Sequence, residues 1–323
     1  MLVTTTHQWI LFFTNKGRIY RAKAYQLPEA GRDARGQHVA NLLAFQPDET
    51  IAQVLPITGY DAGDYLVLAT KSGMVKKTSL SEYDTNRQGG IIAINLREGD
   101  ELVDVRLTDG DDRILLVSKG GQAALFSEQR VRPMGRSASG VTGMKLAADD
   151  EVIALRVPGP EDDVLVITDG GYGKRTPLAE YRETGRGAKG VRTISAKAEA
   201  DRGPLVAAHC VTGEEDLIVT TAGGIVTRMS VGEVRSMGRS TSGVRIQRIK
   251  GEEDRVSSCA IVPAEEDVPE DEAAPPEAEA EVKDAVEVPP QADDAEAEAL
   301  ADAADGDPGD DREIGPTGDD DEA

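Results

Sequence analysis

The chain has 323 residues, 59 acidic and 36 basic, for a net charge of −23. The surplus is local: residues 264–323 hold 25 Asp/Glu against Lys283 and Arg312, so residues 1–263 carry 34 charges of each sign and are neutral. The uncharged apolar run Trp9–Phe13 is too short to cross a bilayer, no secretory leader is expected, and Cys210 and Cys259 make neither a metal-ligand spacing nor a disulfide framework.

Taken in chain order, residues 1–263 repeat one pattern. An apolar, β-branched run meets a tight turn and a second run at Leu11–Arg21, then at Leu66–Lys77, Ile114–Ala124, Val164–Arg175 and Leu217–Arg228. The turn glycines are Gly17, Gly73, Gly121, Gly171 and Gly224, spaced by 56, 48, 50 and 53 residues. A second glycine follows each (Gly36, Gly90, Gly140, Gly190, Gly243) at offsets of 19, 17, 19, 19 and 19. An acidic turn and a strand then close the unit, as in Gly99–Val105 and Asp149–Leu155. The segments Val131–Val141 and Val234–Val244 agree at 9 of 11 positions, 103 residues apart.

Each unit is thus a hairpin with glycine at the turn, a loop and two more short strands. A period of about 50 residues with four short strands marks propeller-like blades, which must stack because so small a sheet cannot bury its own faces. The expected fold is all-β, with five complete copies at roughly 4–57, 63–108, 112–158, 162–212 and 215–263. No stretch shows helical apolar periodicity except the alanine-rich tail, which lacks an apolar face. Residues 264–323 contain no aromatic residue and few large aliphatics, so they are expected to be a disordered acidic tail.

Enzymatic motifs find little support. Gly185-Arg186-Gly187-Ala188-Lys189-Gly190 fits GxGxxG literally, but strand-like Val191–Ser195 follows where a dinucleotide site needs a helix, and the frame is wrong for a phosphate-binding Gly-Lys-Ser/Thr loop. His7, His38 and His209 are scattered, and no nucleophile–base–orienter set emerges. No catalytic centre, metal, cofactor or small-molecule substrate is expected in this chain. The two thiols are expected to be reduced, as in a bacterial-type cytosol.

What recurs is basic charge at fixed places. After the first turn come Arg18, Arg21 and Lys23, then Lys76 and Lys77, Lys174 and Arg175, and Arg228. Before or near the second glycine come Arg32 and Arg35, Arg87, Arg132 and Arg136, Arg182, Arg186 and Lys189, Arg235 and Arg239, with Arg192 and Arg245 in the next strand. Acids gather in the third-element turns, at Asp48-Glu49, Asp100-Glu101, Asp149-Asp150 and Glu252–Asp254, which reads as a basic band opposite an acidic edge. A repeated Arg/Lys band suits a phosphate backbone, bound through counterion release, with glycine-rich loops offering backbone N–H groups. A lone surface arginine reads equally well as a solvated face; five repeats placing charge in one slot weaken that alternative.

Residues 4–262 resemble the C-terminal domain of the DNA gyrase A protein, with an actinobacterial flavour, on the segments Trp9–Glu29, Ala34–Leu43 and Gly171–Thr176. The resemblance implies a β-pinwheel whose blades exchange strands and whose basic rim wraps duplex DNA. The attached catalytic core, with the gyrase B protein, ATP and Mg elsewhere in the holoenzyme, then introduces negative supercoils. It implies a cytoplasmic, nucleoid-associated protein. The family domain has six blades, and the first carries the gyrase box, a Gln-Arg-Gly-Gly-Lys-Gly type loop. That blade would precede Met1, so the chain resembles an N-terminally truncated member, and an apolar face is expected to lie bare where the blade is missing. A box-like role carries over only to Arg186, Gly187, Lys189 and Gly190, with Ala188 where the box has glycine. The breakage–reunion domain is not matched either: none of Tyr20, Tyr25, Tyr60, Tyr65, Tyr83, Tyr172 or Tyr181 stands in its active-site context. Two alternatives stay open: the corresponding part of topoisomerase IV, and a propeller-like protein-interaction module without DNA binding.

A tethered segment with a net charge of −23 competes with DNA for a basic rim at an effective concentration of order millimolar, whereas a tail that serves only solubility does not. Deleting residues 264–323 is expected to raise duplex affinity, most strongly at low salt; superimposable salt titrations of the two forms would leave the tail a solubility segment.

Overall fold

The computed structural model describes residues 2–31, 34–87, 89–249, 251 and 254–264. The chain divides into Met1–Asp267 and Val268–Ala323. The second unit, and with it the segment expected to be a disordered tail, lies outside the described residues, as does Arg32.

The first repeat forms β1 (Trp9–Thr14), β2 (Arg18–Lys23) and β3 (Ile51–Ile57). The second forms β4 (Tyr65–Thr70), β5 (Met74–Ser79), β6 (Ile91–Ile92) and β7 (Leu102–Thr108). The third forms β8 (Arg113–Ser118), β9 (Gln122–Ser127), β10 (Val141–Thr142) and β11 (Val152–Arg156). The fourth forms β12 (Asp163–Thr168), β13 (Tyr172–Pro177), β14 (Val191–Arg192), the helix α1 (Ala196–Arg202) and β15 (Leu205–Val211). The fifth forms β16 (Asp216–Thr221), β17 (Val226–Ser230), β18 (Val244–Arg245) and β19 (Val256–Val262).

The sheets run β3-β1-β2-β6, β7-β4-β5-β10, β11-β8-β9-β14, β15-β12-β13-β18 and β19-β16-β17. The short outer strand of each of the first four sheets therefore comes from the following repeat, which makes the architecture a β-pinwheel. The same lock recurs at each junction. The turn-glycine carbonyls of Gly17, Gly73, Gly121 and Gly171 accept from Ala93, Gly143, Thr193 and Ile246 N–H at 2.8, 2.8, 2.9 and 2.9 Å. On the opposite edge β3, β7, β11, β15 and β19 pack each on the next.

Apolar clusters fill the gaps between successive blades. Leu11, Phe13, Leu66 and Leu68 share one, Val67, Val75, Leu116 and Phe126 the next, Leu115, Val117, Val164 and Val166 the third, and Leu165, Ile167, Leu217 and Val219 the fourth. A central blade is covered on both faces, which is why β4, β8 and β12 are unbroken apolar runs rather than alternating ones. In β16, by contrast, Leu217 and Val219 are buried while Ile218 and Thr220 are only half-buried.

The two ends differ. In the first repeat the segment after Gly36, equivalent to a donated strand, has no earlier sheet among the described residues to join. It forms a 3-10 turn at Val39–Asn41, and Leu27, Val39, Leu42, Leu43 and Phe45 pack on Ile10, Phe12 and Tyr20. This corrects the expectation of a bare apolar face at that end, since the first blade is capped by its own loop. At the other end the fifth sheet has three strands, and Val226 is 62% exposed where Ile19, Val75 and Ala123 are 4%, 0% and 1% exposed.

One further reading is corrected, that no helix lies outside the tail. The acids of the closing turns also tie their blades together: Asp100, Asp150 and Asp254 each accept from a backbone N–H of their own blade's hairpin turn, those of Ser72, Gly120 and Gly223 at 2.9, 2.7 and 2.8 Å. In the fourth repeat α1 takes this place, and Arg202 O accepts Gly170 N–H at 3.1 Å. Seven residues are too few to show apolar periodicity, so the helix was legible only in its ends: Ser195 Oγ accepts Ala198 N–H, and Gly203 follows at φ 81°.

Gly190 sits directly before donated strand β14 at φ 84°, and a Cβ there would lie 2.5 Å from Ala123 O. Gly190→Ala is expected to cost about 2–3 kcal/mol in denaturant unfolding, combining backbone strain with a backbone clash. Gly99→Ala, at φ 75° in open space, carries the strain alone at about 1 kcal/mol. Equal losses at the two sites would contradict the close approach.

Candidate nucleic-acid interface

The loop before each donated strand docks on the preceding blade. Parallel bridges at Lys77–Pro133, Leu125–Glu183 and Arg175–Ser236 hold the start of three such loops. Each then turns through four residues closed by a backbone hydrogen bond: Ala138 N to Gly135 O at 3.1 Å, Ala188 N to Gly185 O at 3.3 Å and Thr241 N to Gly238 O at 3.3 Å. The second residue of the turn is Arg136, Arg186 or Arg239, so an arginine occupies the same place at three junctions.

Strand geometry sorts the basic residues expected to form a rim into three groups. Exposed are Arg35, Arg87, Arg132, Arg186, Lys189, Arg192, Arg228, Arg235 and Arg245. Of these, Arg192 pairs with Glu199 at 3.0 Å, Arg228 with Asp216 at 2.8 Å, and Arg245 donates to Tyr172 Oη at 2.7 Å. Half-buried are Arg18, Arg21, Lys23, Arg136, Arg175 and Arg239. Arg18 donates to Gly89 O and Gly90 O at 2.9 and 3.1 Å, fastening the first junction. Arg21 lies over the Trp9 ring at 4.4 Å and pairs with Asp84 at 2.9 Å; Lys23 Nζ lies over the same ring at 3.9 Å. Arg175 donates to Val234 O at 2.8 Å and Gly232 O at 3.2 Å, which commits it to the loop of the fifth repeat.

The third group is a correction. Lys76, Lys77 and Lys174 are 0%, 4% and 0% exposed and do not lie on a surface. Lys77 pairs with the buried Glu128 at 3.4 Å and lies over Tyr65 at 4.6 Å. Lys76 Nζ donates to Ala93 O at 2.6 Å and to Arg136 O; Lys174 Nζ donates to Gly238 O at 2.7 Å, to Arg239 O and to Thr241 Oγ1 at 3.2 Å. Burial pushes both ammonium groups down to about 8, against the opposing pull of Glu82 and Glu180. A sequence pattern of strand alternation suggests surface lysines here; the covering loop from the next repeat closes over them.

The box-like loop also departs from expectation in one respect. Arg186 reaches back to Arg130 O and Thr142 O at 3.1 and 2.7 Å, and Gly187 N–H points inward to Gly143 O at 2.7 Å, so this glycine amide is not offered to a ligand. Gly190 serves the strand exchange, its φ of 84° turning the chain into β14. Lys189 remains outside. With Lys119, Lys145 and Arg192 it lines a cleft of about 410 Å³; a second cleft of about 540 Å³ is lined by Arg18, Arg87 and Arg136. Lys119 and Lys145 were not among the expected residues. The signal for Lys119 was present, since Lys71 and Lys119 both stand two residues before the turn glycine. Lys71 and Lys119 both pair with Glu151 at 3.0 Å.

Away from this face, Asp104 binds Gln53 at 2.7 Å and pairs with Arg106 at 3.4 Å and with Arg156 across the inner strands. His209 lies among these groups, and burial, reinforced by Arg156 and Arg106, pushes it down to about 3. Burial lifts the thiols of Cys210 and Cys259 to about 12, which disfavours the thiolate. Among the described residues no helix is long and apolar enough to cross a membrane.

The family model described as "DNA gyrase C-terminal domain, beta-propeller" matches residues 8–58, 64–109, 112–158, 162–212 and 215–263, one match per repeat. The DNA gyrase A protein of Streptomyces coelicolor is 52% identical over 265 residues, covering 80% of this chain and 31% of that protein. The DNA gyrase A protein of Mycobacterium tuberculosis is 51% identical over 260 residues, again 80% and 31%. The chain thus spans about a third of the length of these relatives. The crystal structure of the C-terminal domain of DNA topoisomerase IV is similar with a TM-score of 0.73 at 30% identity, covering 80% of each chain. A DNA gyrase A C-terminal domain structure has a TM-score of 0.70 at 24% identity, covering 80% of this chain and 84% of that one, a likeness of fold. Five repeats, four of whose sheets are completed by the next repeat, and a match of the family model to every repeat lead to one assignment: the chain belongs to the DNA gyrase C-terminal domain family.

Proposed function

We propose that this chain binds and wraps duplex DNA along the face built by its donated loops, as the non-catalytic C-terminal part of a DNA gyrase A protein. The observation that carries the reading is the recurrence of exposed basic side chains in the donated loops: Arg132, Arg182 and Arg235 share one slot, each eight residues before its second glycine, and Arg87 stands in the corresponding loop of the remaining junction. Charge repeated at each junction meets a backbone that itself repeats, and the bend this imposes on DNA is offset by the phosphates that each further blade engages. The partners are duplex DNA, the remainder of the gyrase A protein and the gyrase B protein; the compartment is the cytoplasm at the nucleoid. ATP and Mg would act elsewhere in the holoenzyme, in support of negative supercoiling. A second reading, the matching part of topoisomerase IV, is favoured by the TM-score of 0.73 to that enzyme's C-terminal domain. A holoenzyme rebuilt with this chain is expected to supercoil relaxed plasmid; relaxation without supercoiling would favour the second reading.

Arg132, Lys189 and Arg235 are exposed and make no side-chain hydrogen bond or ion pair among the described residues. Replacing all three by Ala is expected to reduce the slope of log affinity against log salt by about three, roughly 0.9 per phosphate released, with stability changed by about 0.5 kcal/mol or less. Absence of duplex binding by the wild-type chain at low salt would leave a protein-interaction module instead.

A further inference from the structure

The three arginine turns differ in one peptide. In 185–188 the central peptide turns its N–H inward, from Gly187 to Gly143 O, with Gly187 at φ 78°. In 135–138 and 238–241 the central carbonyls, Arg136 O and Arg239 O, are the groups that point inward, where Lys76 and Lys174 hold them. In a planar trans peptide the carbonyl and the following N–H point in opposite directions. The N–H groups of Ser137 and Ser240 therefore face outward. Both serines are exposed, and no acceptor among the described residues engages either N–H.

The difference follows the buried residue beneath the turn. Lys76 and Lys174 stand at equivalent places in β5 and β13; in β9 that place is Ala124. Six residues on, Glu82 and Glu180 accept from Arg136 N and Arg239 N at 3.3 and 3.0 Å, and the equivalent residue of the third repeat is Arg130. The near-identity of segments 131–141 and 234–244 is thus matched, one blade earlier, by an identical Lys and Glu. Without the lysine, Gly187 supplies a left-handed backbone that lets the peptide turn the other way. With it, an inward amide would face an ammonium and an outward carbonyl would lose its donor.

We propose that turns 135–138 and 238–241 are phosphate-oxygen sites for the DNA backbone, each presenting the N–H and hydroxyl of Ser137 or Ser240, and that Lys76 and Lys174 are positioning residues that orient the central peptide. The inference rests on the duplex-binding reading above. Each ammonium also stands behind its turn, where its charge offsets that of Glu82 or Glu180, the carboxylate bound to the preceding N–H. Lys76 and Lys174 thereby serve DNA from the interior of the fold.

Amide spectra of the full chain, titrated first with a short duplex and separately with inorganic phosphate, test the sites without any substitution. The Ser137 and Ser240 amide protons are expected to move downfield with duplex while Gly187 stays in place. Serine amides that stay still at saturating duplex overturn the proposal, even where inorganic phosphate moves them. Lys76→Met and Lys174→Met, singly, are expected to abolish the shift at the turn concerned and to lower duplex affinity about tenfold, the loss of one charge-assisted contact. A folded variant that keeps both the serine shift and the affinity overturns the positioning role. Failure of the wild-type chain to bind duplex would instead overturn the preceding reading; binding with unmoved serine amides overturns this one alone.

Discussion

The structure depends on the donation of one short strand from each repeat to the sheet before it. Three strands of five to seven residues cannot cover the outer edge of a blade, and an uncovered edge is an invitation to pair with the wrong partner. A two-residue strand with a turn-glycine carbonyl as its anchor closes that edge at four junctions. Because the donor loop must cross to the neighbouring blade, it carries its arginine turn with it. The basic face is consequently a property of junctions, and no single repeat could build it.

Charge is used twice in this arrangement. Of the basic residues whose spacing suggests a rim, some reach solvent and others hold the rim in shape from below. Arg18, Lys76, Lys174 and Arg175 all direct their donors at carbonyls of the loop that covers them. The acids are committed in the same way, to the hairpin turns. A neutral body can therefore present basic loops because its acids are gathered elsewhere, many of them at the closing turns.

Most of the architecture was legible because it repeats. Glycine spacing announced the blades, and continuous apolar runs announced sheets buried on both faces. Three things escaped. The burial of Lys76 and Lys174 depends on a loop some sixty residues away, which strand alternation does not register. The cap over Ile10 and Phe12 comes from a segment whose counterparts in the later repeats form a strand, a difference that glycine spacing does not register. The orientation of the Gly187 peptide turns on Ala124 in the preceding blade. Local patterns foretold which residues sit at the turns; which way the peptides face was decided by tertiary neighbours.

Strand donation also sets an order in time. The first sheet is finished by Ile91 and Ile92, although its own last strand ends at Ile57. During synthesis each blade must wait for the loop of the next repeat before its outer edge is closed, so folding of the nascent chain runs one repeat behind elongation. The first blade, with a cap of its own, can bury its leading face at once. The body therefore has a direction: each of the first four blades leaves one edge open for the next arrival.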